Sequence, residues 1–116
     1  MDENGNPYGS WEKMEDLPAV PRELGTGFAI DDFGYFGLGG QFNRPAASDF
    51  WRYNPLTNTW EELAAIGTVD ETFRRQGAVS FVIGQTAYIG TGDILIANQE
   101  NIADNQFFRY FPEPEE

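Results

Sequence analysis

Gly27-Phe28-Ala29-Ile30-Asp31-Asp32-Phe33-Gly34-Tyr35-Phe36-Gly37-Leu38-Gly39-Gly40 decides the fold, because the chain writes this pattern twice. Fifty-three residues later, Ser80-Phe81-Val82-Ile83-Gly84-Gln85-Thr86-Ala87-Tyr88-Ile89-Gly90-Thr91-Gly92-Asp93 places Phe81, Ile83, Tyr88, Gly90 and Gly92 opposite Phe28, Ile30, Tyr35, Gly37 and Gly39. Trp11 and Trp60 stand 49 residues apart, Arg22 and Arg75 stand 53 apart, and Phe50-Trp51-Arg52-Tyr53 returns 57 residues on as Phe107-Phe108-Arg109-Tyr110. A period near 50 whose offset grows only in Gly-, Asn- and Asp-rich connections is the signature of repeated four-stranded blades with variable loops.

Within each repeat the runs are short, rich in Phe, Tyr, Ile, Val and Trp, and bounded by Gly, Pro, Asn and Asp, which predicts strands joined by tight turns. Phe28–Ile30 and Tyr35–Gly39 form the first hairpin, turning at Asp31-Asp32-Phe33-Gly34, and Phe81–Ile83 with Thr86–Gly90 repeats it around Gly84-Gln85. Phe50–Tyr53 is the third strand and Trp60–Leu63 the fourth, joined through Asn54-Pro55-Leu56-Thr57-Asn58. Helix starts suggested by Glu23-Leu24 and Glu61–Ala65 are cut short by Gly25, Gly27 and Gly67.

Composition narrows the chemistry. Seven basic residues against 19 acidic ones give a net charge of −12, which repels phosphate backbones and anionic headgroups, so neither nucleic acid nor membrane insertion is expected. With no Cys and no His, disulfides, thiolate metal sites, the usual imidazole base and the commonest transition-metal ligand are all missing. No run approaches the length of a membrane span, and Met1-Asp2-Glu3 is not the start of a signal peptide.

The hairpin ending in Gly39-Gly40, the Tyr53-Asn54-Pro55 turn and the following Trp60 together resemble the kelch repeat. The resemblance runs from Trp11 to Pro112 and implies all-β, four-stranded antiparallel β-propeller blades, about two blades' worth of strands. Trp11–Met14 is read as an outer strand, residues 22–63 as the first full blade, and residues 75–111 as three strands of a second. The segment from Phe81 to Asp93 is similar to bacterial kelch proteins of the galactose-oxidase-like kind, many of them exported. That likeness implies a periplasmic, cell-surface or secreted setting, although the chain shows no leader.

Two blades cannot close a ring that takes four to eight, and a three-stranded last sheet leaves an edge that invites pairing. The chain is therefore expected either to be part of a longer propeller or to assemble. In an assembly the Trp11 strand of one copy completes its neighbour's open sheet, and three copies give six blades.

Each candidate for chemistry has a structural competitor. The glycine runs Gly37–Gly40 and Gly90–Gly92 lack the following helix that phosphate loops require, so they read as strand ends. Asp31-Asp32, Asp49, Asp70-Glu71 and Asp93 lack the alternating acids of a calcium loop, and no metal or cofactor is expected. Arg22 and Arg75 have two readings. The kelch resemblance implies arginines that reach the channel mouth and bind acidic ligands, whereas the surplus of acids favours enclosed partners for a carboxylate or carbonyl. Arg52 and Arg109, between aromatics, are expected to cover ring faces, and the repeated aromatics to fill an inter-blade core.

Binding residues are sought where the repeat breaks. Gln41, Asn43 and Arg44 in the first loop, and Asp93, Asn98, Gln99 and Asn101 in the longer second loop, are the candidates for gripping a protein or carbohydrate ligand, with Arg22 and Arg75 beside them. The expected function is a non-catalytic binding module. The alternative implied by the family is part of a carbohydrate-active enzyme such as a sialic acid mutarotase-like protein, with Glu23, Asp93 or Glu100 as acid–base groups.

Overall fold

The computed structural model describes residues 3–41, 47–65, 75–94, 102–103 and 105–112. Ten strands occupy them: β1 (Thr26–Ile30), β2 (Phe33–Gly37), β3 (Phe50–Asn54), β4 (Thr59–Leu63), β5 (Arg75–Gln76), β6 (Val79–Ile83), β7 (Thr86–Gly90), β8 (Asp93–Ile94), β9 (Ile102–Ala103) and β10 (Phe107–Tyr110). All pair antiparallel. The first four make one sheet in the order β1-β2-β3-β4, and β10-β7-β6 make a second that matches three of those strands.

Ile30 pairs with Phe33 and Ile83 with Thr86, so each hairpin turns on two residues. The first of the two is left-handed in both turns, Asp31 at φ 53° and Gly84 at φ 63°, a conformation that Asp and Gly enter at low cost. Strand β2 therefore begins at Phe33 and ends at Gly37, two residues ahead of the range the sequence suggests. What ends it is a pair of left-handed residues, Leu38 at φ 62° and Gly39 at φ 110°, and Thr91 and Gly92 do the same after β7. The β3–β4 turn is tied by Asn54, whose Oδ1 accepts from the Leu56 amide at 2.9 Å, and by Asn58, whose Oδ1 accepts from the Tyr53 hydroxyl at 2.8 Å.

Alternation along each strand sends one set of side chains to each face. On one face of the first sheet, Phe28, Tyr35 and Phe50 stack with centroids 5.1–6.2 Å apart. The second sheet lays its far face over them: Tyr110 sits edge-on to Tyr35 and Phe50 at 6.0 and 5.1 Å, and Ala87 and Ile89 are buried in the same core. Polar groups fix the register of this packing, since the Thr26 hydroxyl donates to Ser80 Oγ at 2.6 Å and that hydroxyl donates to the Gly27 carbonyl at 3.0 Å. The hydrophobic core thus lies between blades, as the repeated aromatics predict.

Trp11–Met14, read from the sequence as an outer strand, joins no sheet among the described residues, and Trp11 is fully exposed. A strand needs a neighbour to supply its ladder, and the fourth position of the first sheet is already held by β4. The segment is instead tethered near Glu15, whose amide donates to Asn58 Oδ1 and whose carbonyl accepts from the Trp60 indole, both at 2.9 Å.

Candidate functional site

The end of the sheets where Gly39-Gly40 and Gly92-Asp93 emerge carries the loops in which the repeats differ. A third, small sheet stands there, in the order β5-β8-β9, formed in part by the longer second connection. Gln76 pairs with Asp93 in it, and the corresponding residues of the first repeat, Glu23 and Gly40, meet in an isolated bridge. The two repeats are interlocked by backbone bonds at this end: the Gly39 amide donates to the Arg75 carbonyl at 2.9 Å and the Gly77 amide to the Leu24 carbonyl at 2.8 Å.

An arginine clamps the base of each loop. The Arg22 side chain is only 3% exposed; its Nη1 donates to the Leu38 carbonyl at 3.3 Å and pairs with Asp49, and its Nη2 reaches Asp49 Oδ2 at 2.9 Å. The Trp51 indole donates to the same Oδ2 at 2.8 Å. Burial by itself would raise the Asp49 carboxyl, but the hydrogen bonds from Arg22 and Trp51 and the adjacent positive charge outweigh it and hold the group below its ordinary value. In the second blade Arg75, 1% exposed, donates from Nη1 to the Thr91 carbonyl and from Nη2 to Gln106 Oε1, each at 3.1 Å, and stacks over Phe108 at 5.2 Å. Leu38 corresponds to Thr91 and Asp49 to Gln106, so the clamp is one device written twice, with carboxylate in one copy and amide in the other. Both guanidinium groups are enclosed, Arg22 against a carboxylate and a carbonyl and Arg75 against a carbonyl and an amide oxygen.

Of the other sequence-predicted binding residues, Gln41 and Asp93 are half-buried at this same end. Asn43, Arg44, Asn98, Gln99 and Asn101 lie outside the described residues, as does Glu100, while Glu23 is exposed beside Gly40.

Sequence reasoning missed a feature at the opposite end, where the two hairpin turns meet. A crevice of about 410 Å³ is lined there by Asp31, Phe33, Tyr35, Arg52, Gln85 and Phe111, among others. Gln85 Nε2 donates to Asp31 Oδ1 across its floor at 3.1 Å. Arg52 lies 4.5 Å over the Phe33 ring and pairs with Glu61, and Arg109 lies 5.0 Å over Phe111, so both arginines cover ring faces as expected. The signal was present in the sequence as two breaks in the repeat, Phe33 against Thr86 and Asp31 against Gly84.

Among the described residues a four-stranded antiparallel sheet and a three-stranded one pack face to face through repeated aromatics, each with an arginine clamp and a glycine exit, which is the architecture of kelch-type β-propeller blades. Residues 38–65 match the Kelch motif family. The N-acetylneuraminate epimerases of Salmonella enteritidis and Salmonella typhi are 28% identical to it over 102 residues, covering 84% of this chain and 24% of those proteins. The solved structure of YjhT superposes with a TM-score of 0.59 at 28% identity, covering 73% of this chain and 25% of that one. The chain thus spans about a quarter of the length of the curated relatives it matches.

Proposed function

We propose that the chain contributes two blades to a kelch propeller that binds a protein or carbohydrate ligand through the loops following Gly40 and Asp93. The observation that carries this reading is the paired clamp. Arg22 with Asp49 and Arg75 with Gln106 pin the residues that flank the two loops to the blades, so the points from which the repeat-breaking segments depart are anchored. Gln41, Asn43, Arg44, Asn98, Gln99 and Asn101 then offer amides and one guanidinium, which suit the hydroxyls of a sugar or the backbone of a peptide. No cofactor is invoked, and neither nucleic acid nor membrane insertion fits the charge.

A second reading, a share in an enzyme acting on an acidic amino sugar, is favoured by the likeness to N-acetylneuraminate epimerases over most of this chain. On that reading an exported setting fits as well. The two are separated by titrating N-acetylneuraminate and a glycan and peptide panel against the chain while following anomer exchange by NMR. Saturable binding with unchanged exchange supports the module, and Arg44→Ala or Gln99→Ala should then weaken it about tenfold. Accelerated exchange supports the enzyme reading; no binding and no acceleration removes both.

A further inference from the structure

The crevice between the two hairpin turns lies at the end opposite the repeat-breaking loops, and the binding role proposed for those loops makes no use of it. Its volume of about 410 Å³ falls in the range of small-molecule sites, roughly 300–1,000 Å³. Here the two hairpins differ in chemistry while agreeing in geometry. Both turn on two residues with a left-handed first position, yet Asp31 and Phe33 in the first stand against Gly84 and Thr86 in the second. The turn itself therefore requires neither the carboxylate nor the ring, since glycine and threonine serve as well.

Two kinds of group line the crevice. The aromatic kind is Phe33, whose ring carries the Arg52 guanidinium, and Phe111, which is 43% exposed. The polar kind is a small hydrogen-bonding set. The bond from Gln85 Nε2 to Asp31 Oδ1 holds those two side chains against each other, so they are oriented before any ligand arrives. The second carboxylate oxygen and the amide oxygen are acceptors, and the guanidinium of Arg52, engaged by Glu61 through Nη2, carries five N–H donors in all. Charge then selects among ligands. A cation meets Arg52, and an anion meets Asp31, Glu61 and a chain of net charge −12. A neutral ligand meets neither penalty. With an apolar face for a ring and hydroxyls that both donate and accept, a pyranose fits this lining. We infer that the crevice is a subsite for one neutral pyranose unit of a glycan, its C–H face against Phe111 and its hydroxyls on Asp31, Gln85 and Arg52.

Heteronuclear NMR on the nitrogen-15-labelled full chain tests this, with the methyl pyranosides of glucose, galactose, mannose and N-acetylglucosamine as probes. At least one should shift the amides of Asp31, Phe33, Gln85 and Phe111 saturably below about 20 mM, with Gln41 and Asp93 unmoved. Asp31→Gly, which copies the second turn, and Phe111→Ala should each weaken that binding at least about tenfold, while the rest of the spectrum checks that the sheets are kept. No saturable shift with any of the four sugars, shifts confined to the loop end, or variants that bind as the wild type does would each overturn the inference. So would N-acetylneuraminate or a peptide that binds these turns more tightly than every neutral sugar. The two ends of the sheets are read by different amides, so failure of this subsite and failure of the loop-binding role are distinguishable.

Discussion

The first and second blades carry almost the same local instructions and differ in what lies against them. In the first, the Phe28–Tyr35–Phe50 trio leaves Phe50 with no exposed surface; in the second, Phe81–Tyr88–Phe107 holds nearly the same centroid spacings with Phe107 half open. Ring geometry is therefore set within each sheet by register, before any neighbour arrives. Burial is what the neighbour adds, and most of the stabilisation from these rings comes with it.

The largest effect that would sharpen this contrast is a matched pair of truncations followed by urea unfolding. Phe50→Ala should cost about 3–5 kcal/mol, whereas Phe107→Ala in dilute solution should cost about 1 kcal/mol, because little water is displaced from its ring. Equal losses would break the comparison. Next comes Tyr110→Ala, which uncovers the first trio and should cost about 2–3 kcal/mol. It should also raise the exposure of the first hairpin to hydrogen exchange while leaving β6 and β7 paired.

The arginine clamps offer a smaller test. Asp49→Asn gives the first clamp the neutral amide character of the second, and should cost about 1–2 kcal/mol at neutral pH, the worth of replacing a charge-assisted hydrogen bond with a neutral one. Because folding lowers the Asp49 pKa, its contribution is complete above the ordinary carboxylate value near 3.8 and is lost as the pH falls through the lower folded value. Wild type and Asp49→Asn should therefore converge in stability in acid, a convergence that thermal melts between pH 7 and pH 2 would detect. The smallest change is expected from Asp31→Gly, which copies Gly84 into the first turn. Relief at a left-handed residue offsets the lost bond from Gln85, and the midpoint should move by under about 0.5 kcal/mol.

Repetition made the fold legible. Spaced residues recurring together point to blades, and the turn residues, both hairpins and the inter-blade aromatic core follow from them. Legibility failed where the backbone leaves the repeat's plan. The left-handed pair Leu38-Gly39 ends β2 early, and nothing in a leucine announces a positive φ; its partner Thr91 is equally silent. The two-residue strands β5, β8 and β9 are too short for alternation to register. The clamps were half visible: the spacing of Arg22 and Arg75 marked them as equivalent, but Asp49 and Gln106 became their partners only once the sheets brought distant segments together. The crevice escaped because its walls come from two turns distant in sequence, whose Asp31 and Gln85 lie 54 residues apart.

Three indoles sit in three environments along this chain. Trp51 is buried and donates to Asp49, Trp60 is half-buried and donates to Glu15, and Trp11 is wholly in water. Emission from Trp11 should be red-shifted and readily quenched by iodide, while that from Trp51 should be neither. The protein thus contains its own optical gauge, in which one lamp reports on the fold and another on whatever comes to lie beside the amino-terminal segment.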